Sequence, residues 1–425
     1  QPLARAQPAT DGGSPGRGPG RGDAVATGPN APPPCKKAVR TGRERRKGAG
    51  VSLRSMRFND LLKQAVDAGA SDVHLHVPLP VMMRVSGRLR PMNDVPLTPR
   101  ATEALVDLMC NEQQRAQFAA KQQIDLAYSV PGLGRFRVNL FRQRGSVSAV
   151  LRIINSDEKA LQVVNLPQET IDYFKNQEKG LVLVTGPTGS GKSTTLARIL
   201  DEINATHAKM IVTVEDPIEY LHRAKRSIVV QRELGMDAPS FSEALVAAMR
   251  QDPDVIMIGE IRDHATAAAA LSAAQTGHLV FSTLHTQDSV RTINRMIELF
   301  PPHERATARI LFAESLVGIV SQRLLPRVGG GRVAATEILK GTLRVKDLIR
   351  DEERTPELYD VLKEARLDGM QAFDDHLAEL YAQGIIDYET GYNAATSSQA
   401  FKMAATQVEV LRQTQADAVR QTQVA

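Results

Sequence analysis

A short apolar run, Leu181-Val182-Leu183-Val184, leads through Thr185 into Gly186-Pro187-Thr188-Gly189-Ser190-Gly191-Lys192-Ser193-Thr194. The next turns carry Leu196, Ile199, Leu200 and Ile203 on one helical face. No other stretch constrains the fold as tightly. An unbroken apolar run of this length suits a strand buried on both faces of a parallel sheet. The spacing after it predicts a helix over 194–204. Between the two, glycines let the backbone turn without Cβ clashes. The whole matches G-x-x-x-x-G-K-[ST], in which loop N–H groups and a helix N-terminus converge on phosphates. Lys192 then reaches the β- and γ-phosphates, and the Ser193 hydroxyl coordinates Mg²⁺. Residues 186–194 are therefore expected to bind ATP with Mg²⁺.

The surrounding pattern alternates strands and helices, which predicts a parallel α/β sheet. Further strands are expected at 210–214, 228–231, 255–258 and 279–282, with helices at 240–251 and 264–275. From about Thr286 the chain reads as mostly helical. Ligands of such sheets bind at the carboxyl ends of the strands. Three polar clusters fall there: Glu215-Asp216-Pro217-Ile218-Glu219-Tyr220, Gly259-Glu260-Ile261-Arg262-Asp263 and Thr283-Leu284-His285-Thr286, with His278 just before the last strand. Glu260 can polarise the attacking water or hold metal-bound water. Gly259 stands where an Asp is usual, so metal coordination leans on Ser193, Glu260 and water. Glu219 or Glu215 would sit beside the γ-phosphate. His285 either senses the γ-phosphate or is a structural histidine satisfied by backbone.

Before this domain, residues 57–153 read as α+β. A helix is expected over 58–69 and another over 101–120. Strands are expected near 73–77, 81–85, 88–92, 124–130, 135–143 and 147–153, and a connector follows at 155–167. Arg135, Arg137, Arg142 and Arg152 crowd the last of these strands. They are either solvated strand charges or arginines offered to a neighbouring subunit's nucleotide, where such groups contribute about 10³–10⁵ in rate. In the second case Arg135, Arg137 and Arg152 join the nucleotide site.

Charge is uneven along the 425 residues. The first 50 hold ten Lys/Arg and three Asp/Glu, a net +7, so the chain's +5 leaves −2 on the other 375. That basic, Gly- and Pro-rich stretch cannot bury enough apolar surface to fold. It is read as a solvated tail, with nucleic acid or anionic lipid as the alternative partner, and Met56 as an alternative initiator. There is no Trp, which argues against base-stacking platforms. Two cysteines, Cys35 and Cys110, cannot build a four-cysteine zinc site. No apolar run approaches the ~20 residues of a membrane span, so the chain is expected to be cytoplasmic. The division expected is a basic tail at 1–55, a small α+β domain at 56–158, an ATPase domain with C-terminal helices at 159–396, and a flexible tail at 397–425.

Taken together, the blocks at 186–194, 215–220, 259–263 and 276–285 resemble the Walker A, Asp box, Walker B and His box of type II/IV secretion-superfamily ATPases. Gly69-Ala-Ser-Asp-Val-His74, Arg84-Val-Ser-Gly-Arg88 and Gly134-Arg-Phe-Arg-Val-Asn139 resemble the PAS-like N-terminal domain of the pilus retraction ATPases. Gly369-Met-Gln371, Asp374 and Arg344-Val-Lys-Asp-Leu-Ile-Arg350 resemble that subfamily's C-terminal helices, the last being altered at Val345-Lys346-Asp347. The resemblance spans about 57–396. It implies a RecA-like domain in a homohexameric ring, ATP between subunits, and Glu219 and Glu260 as the catalytic carboxylates. It further implies an inner-membrane platform protein as partner, paralogous motor ATPases as possible companions, and a place at the inner face of the membrane at the pilus base. The function implied is pilus retraction in twitching motility. An assembly or secretion ATPase of the same superfamily is the alternative; the missing zinc insert favours retraction. A nucleic-acid translocase fits less well, since the folded part is near neutral and poor in aromatics. A metabolite kinase fits least, because no substrate lid is visible.

Overall fold

In the computed structural model the described residues are 58–410, except 86, 155–160, 162 and 163. The expectations placed on the basic tail, on Met56 and on most of the connector lie outside them. The first sheet has six antiparallel strands, β1 (Ala70–Leu75), β2 (Met82–Val85), β3 (Arg88–Pro91), β4 (Gln123–Val130), β5 (Gly134–Gln143) and β6 (Ser146–Ile154), in the order β3-β2-β1-β6-β5-β4. Side chains alternate along β4, where Ile124, Leu126 and Val130 are buried between exposed Gln123, Asp125 and Ser129. That period of two leaves one face for packing and one for polar groups. The packed face meets the helices Phe58–Asp67, Pro99–Met109 and Glu112–Lys121 through Leu61, Leu62, Leu105 and Phe118. The single helix expected over 101–120 is therefore two. Asn111 starts the second with a capping box, accepting from the Gln114 N–H while the Gln114 side chain accepts from its own N–H.

The second sheet has seven strands: β7 (Gly180–Thr185), β8 (Met210–Glu215), β9 (Ile228–Glu233), β10 (Val255–Ile258), β11 (Leu279–Leu284), β12 (Leu316–Pro326) and β13 (Arg332–Lys340). Their order is β13-β12-β7-β11-β10-β8-β9, and every pairing is parallel except β12 with β13. Every residue of β7, β10 and β11 is buried, because helices cover both faces. Val182 and Val184 face Phe174, Leu196, Ile199 and Leu200 on one side. Leu181 and Leu183 face Leu245, Ala270 and Ile293 on the other.

Strands β12 and β13 correct the expectation of a mostly helical region after 286. The helix Arg305–Ser315 runs straight into β12 with no turn residue between them, and Leu316 to Gln322 are all buried. A continuous buried run has no periodicity by which to tell strand from helix. The stretch from 397, expected to be a flexible tail that is either a frayed helix or disordered, is helical over 398–410. Its Phe401 is fully buried among Tyr381, Tyr388 and Leu377, and a Cβ on Gly391 would overlap the Phe401 ring. The remainder, 411–425, lies outside the described residues.

Candidate active site

The loop 186–191 joins β7 to the helix Lys192–Thr206 at the carboxyl edge of the parallel sheet. Gly186 has φ +143°, and a Cβ there would overlap the Gln322 carbonyl oxygen of β12. Gly191 has φ +92°, a region that favours glycine. Lys192 is nearly buried, and its Nζ donates to the carbonyls of Gly186 at 2.8 Å and Pro187 at 3.1 Å. Burial lowers the pKa of its ammonium group, while the charges of Glu260 and Glu219 pull the other way. A cation kept in a sparsely hydrated loop between two carboxylates is built to meet anionic oxygen. The Ser190 hydroxyl is buried with no hydrogen-bond partner, a polar group aimed into the same loop.

Around this loop lies a cavity of about 440 Å³. Thr188, Gly189, Gly191, Lys192, Ser193 and Thr194 line one side. Glu215, Glu219, Glu260 and His285 line the other, so the structure brings together four of the five acid and histidine candidates. They do not stand alike. Glu215 is buried and its carboxylate is already engaged, accepting from Thr213 Oγ1 at 2.7 Å, Gln231 Nε2 at 3.1 Å and the Glu219 N–H at 3.2 Å. Burial raises its pKa despite these donors. Its role in the chain is to hold the turn that carries Glu219, whose own side chain is exposed to the cavity. Thr194 Oγ1 and Tyr220 OH meet at 2.8 Å and tie that turn to the loop helix.

Glu260 leaves the end of β10 with a mostly buried side chain and two cationic or potentially cationic neighbours. Arg262 contacts Oε1 at 2.5 Å and His285 Nε2 contacts Oε2 at 3.2 Å. The hydrogen bond to Glu260 raises the pKa of the Arg262 guanidinium. His285 is thus satisfied by a catalytic candidate rather than by backbone. At Gly259 a Cβ would sit 3.4 Å from the Phe241 ring and the Val214 carbonyl, a van der Waals contact.

His278 is a correction. It precedes β11 and therefore lies at the amino end of the sheet, a strand's length from the loop, and its ring contacts the Ala273 carbonyl at 2.9 Å. Sequence proximity to His285 misleads because six residues of extended strand separate them by about 20 Å. None of the three strand arginines lines the cavity within this chain. Arg135 pairs with Glu233 of β9, both side chains nearly buried. Arg152 pairs with Asp72 at 3.0 Å and Arg137 is exposed beside it in register. The arginine that does line the cavity is Arg332, at the start of β13. No sequence signal marked it, because the β12–β13 hairpin was not foreseen.

A family model described as "Type II/IV secretion system protein" matches residues 48–368. The chain belongs to the type II/IV secretion system protein family. Among its relatives in that family are two from Pseudomonas aeruginosa. The type IV pilus retraction ATPase PilT is 43% identical over 346 residues, covering 81% of this chain and 100% of the relative. The type IV pilus ATPase PilU is 40% identical over 349 residues, covering 82% and 91%. The crystal structure of the pilus retraction motor PilT with bound ADP superposes with a TM-score of 0.75 at 42% identity, covering 81% of this chain and 98% of that one. Among the described residues no helix is long and apolar enough to cross a membrane.

Proposed function

We propose that this chain is a motor ATPase that couples ATP hydrolysis to type IV pilus retraction, and hence to twitching motility. The observation that carries the reading is the single cavity in which a buried, loop-tethered Lys192 faces Glu219 and Glu260. Residues Gly186 to Thr194 cradle the phosphates through their backbone, and Lys192 neutralises the β- and γ-oxygens. Glu260 orients the attacking water and takes its proton, and Glu219 supports it from the neighbouring strand. His285, bonded to Glu260, links the γ-phosphate position to β11. Ser193 and Glu260 would hold Mg²⁺, which would supply charge neutralisation across the phosphates. The relatedness to PilT supports the retraction reading over assembly or secretion.

The reading includes a homohexamer with ATP at subunit borders, an inner-membrane platform protein as partner, and a peripheral position at the inner face of the membrane. Two relatives of this chain in one organism support a paralogous motor as a further companion. It also includes a small domain at 56–158 and an ATPase domain from 159. In support, β6 ends at Ile154, and the helix Gln168–Lys175 already packs on the second sheet.

The test is genetic. The gene is deleted and complemented with wild type, Lys192→Ala or Glu260→Gln. Surface pili in excess, without twitching, are expected for the deletion and both variants. Loss of pili altogether would replace retraction with assembly.

A further inference from the structure

Gln322 follows Ser321, which pairs with Thr185 across β12 and β7, so it lies level with the first glycine of the phosphate loop. Its side chain is buried. Nε2 donates to the Ser190 carbonyl at 2.7 Å, and Oε1 accepts from Thr195 Oγ1 at 2.9 Å. Its own carbonyl fills the space a Cβ on Gly186 would need. One residue on a neighbouring strand thus touches the loop's start, its last turn and the first turn of the helix after it.

The contact with Ser190 has a directional consequence. A trans peptide is planar, and its C=O and N–H point opposite ways. Holding the Ser190 carbonyl toward β12 turns the Gly191 N–H away from β12, toward the cavity that Gly191 lines. Gly191, at φ +92°, has no side chain to resist rotation of that peptide. The orientation must come from outside the loop, and the Gln322 amide is placed to give it. The Ser190 carbonyl can only accept, so it selects the amide nitrogen, and the Thr195 hydroxyl then donates to the amide oxygen and holds that orientation.

We propose that Gln322 is a positioning residue that sets the Ser190–Gly191 peptide so that its N–H faces the nucleotide phosphates. The inference rests on the nucleotide reading above. Leu at this position keeps the bulk and removes both hydrogen bonds. Gln322→Leu is expected to raise the ADP dissociation constant and the KM for ATP by about tenfold or more, as for loss of a hydrogen bond on an anion's donor set, with a smaller change in kcat. Gln322→Glu carries a sharper signature. Ionised, it presents a second acceptor to the Ser190 carbonyl; protonated, it donates as the amide does. Its KM, divided by that of wild type, should fall several-fold between about pH 8.5 and about pH 6.

The experiment measures ADP binding and steady-state ATP hydrolysis by the full chain for wild type, Lys192→Ala, Gln322→Leu and Gln322→Glu. Unfolding midpoints are followed in parallel, and the pH arm decides if the Leu variant does not fold. A Gln322→Leu protein within twofold of wild type in both constants, or a Gln322→Glu protein whose ratio is flat with pH, overturns the inference alone. Wild type that fails to bind ADP, or Lys192→Ala that binds it normally, overturns the nucleotide reading and the inference with it.

Discussion

The two sheets of this chain spend their polar residues differently. In the antiparallel sheet, Asp72 is buried but its cationic partners Arg84 and Arg152 reach water, with the Arg152 side chain 69% exposed. In the parallel sheet, Glu215, Glu233 and Glu337 are buried at or near the edge that carries the cavity, each held by specific donors. A pair whose cation stays in water gains little from it, because water competes for the exposed partner. Buried carboxylates must be fully served or they destabilise the fold. The parallel sheet can bear them because its strands end together at one edge, where loops bring N–H groups and hydroxyls within reach. The same convergence assembles the candidate active site.

The largest expected effect tests that edge directly. Lys192→Ala removes the one buried cation of the loop, and steady-state ATP hydrolysis should fall by about 10³-fold or more. Retention of a tenth of wild-type turnover would separate the parallel edge from catalysis.

The next contrast sets two strand arginines against each other. Arg135→Ala leaves Glu233 buried beside the Ile218 N–H with its cation gone, and should cost about 3–5 kcal/mol in urea unfolding. Arg152→Ala removes an exposed guanidinium from Asp72, which keeps the Ser71 hydroxyl at 2.9 Å and Arg84 at 3.8 Å, and should cost about 1 kcal/mol or less. Equal costs would mean that burial does not distinguish the two sheets.

A further expectation concerns pH. Glu337 accepts from the N–H and hydroxyl of Ser289, yet burial dominates and pushes its pKa up to about 7. The native state then keeps a proton that the unfolded chain releases, so stability falls as pH rises from about 4.5 to about 7, by about 3 kcal/mol at most. Glu337→Gln should flatten that part of the profile, read as the urea midpoint at a series of pH values. An unchanged slope would assign the pH dependence to other groups.

Much of this was legible in the sequence, and the reasons differ from place to place. The β7 run and the loop after it were clear because an unbroken apolar strand, left-handed glycines and an amphipathic helix are each local requirements. The five parallel strands through β11 were found from their apolar runs. β12 and β13 were not, because a helix flows into β12 without a turn and both strands are buried too evenly to show a period. With that hairpin unseen, Gln322 and Arg332 carried no mark. His278 and His285 looked equivalent as letters, and the direction of β11 puts them at opposite ends of the sheet.

The sequence by itself determined that a phosphate loop closes a parallel strand onto a helix, and that acidic and histidine side chains follow neighbouring strands. Those are properties of short segments, set by backbone sterics and side-chain period. Only the tertiary structure decided which carboxylates are free to act. Glu215 and Glu219 are four residues apart in one motif, yet one accepts three hydrogen bonds in the interior and the other faces the cavity. It also decided that Arg135 answers Glu233 within its own chain, and that an amide on β12 reaches the loop. Each of these depends on which strands lie side by side, and sheet order is set by packing across the whole domain.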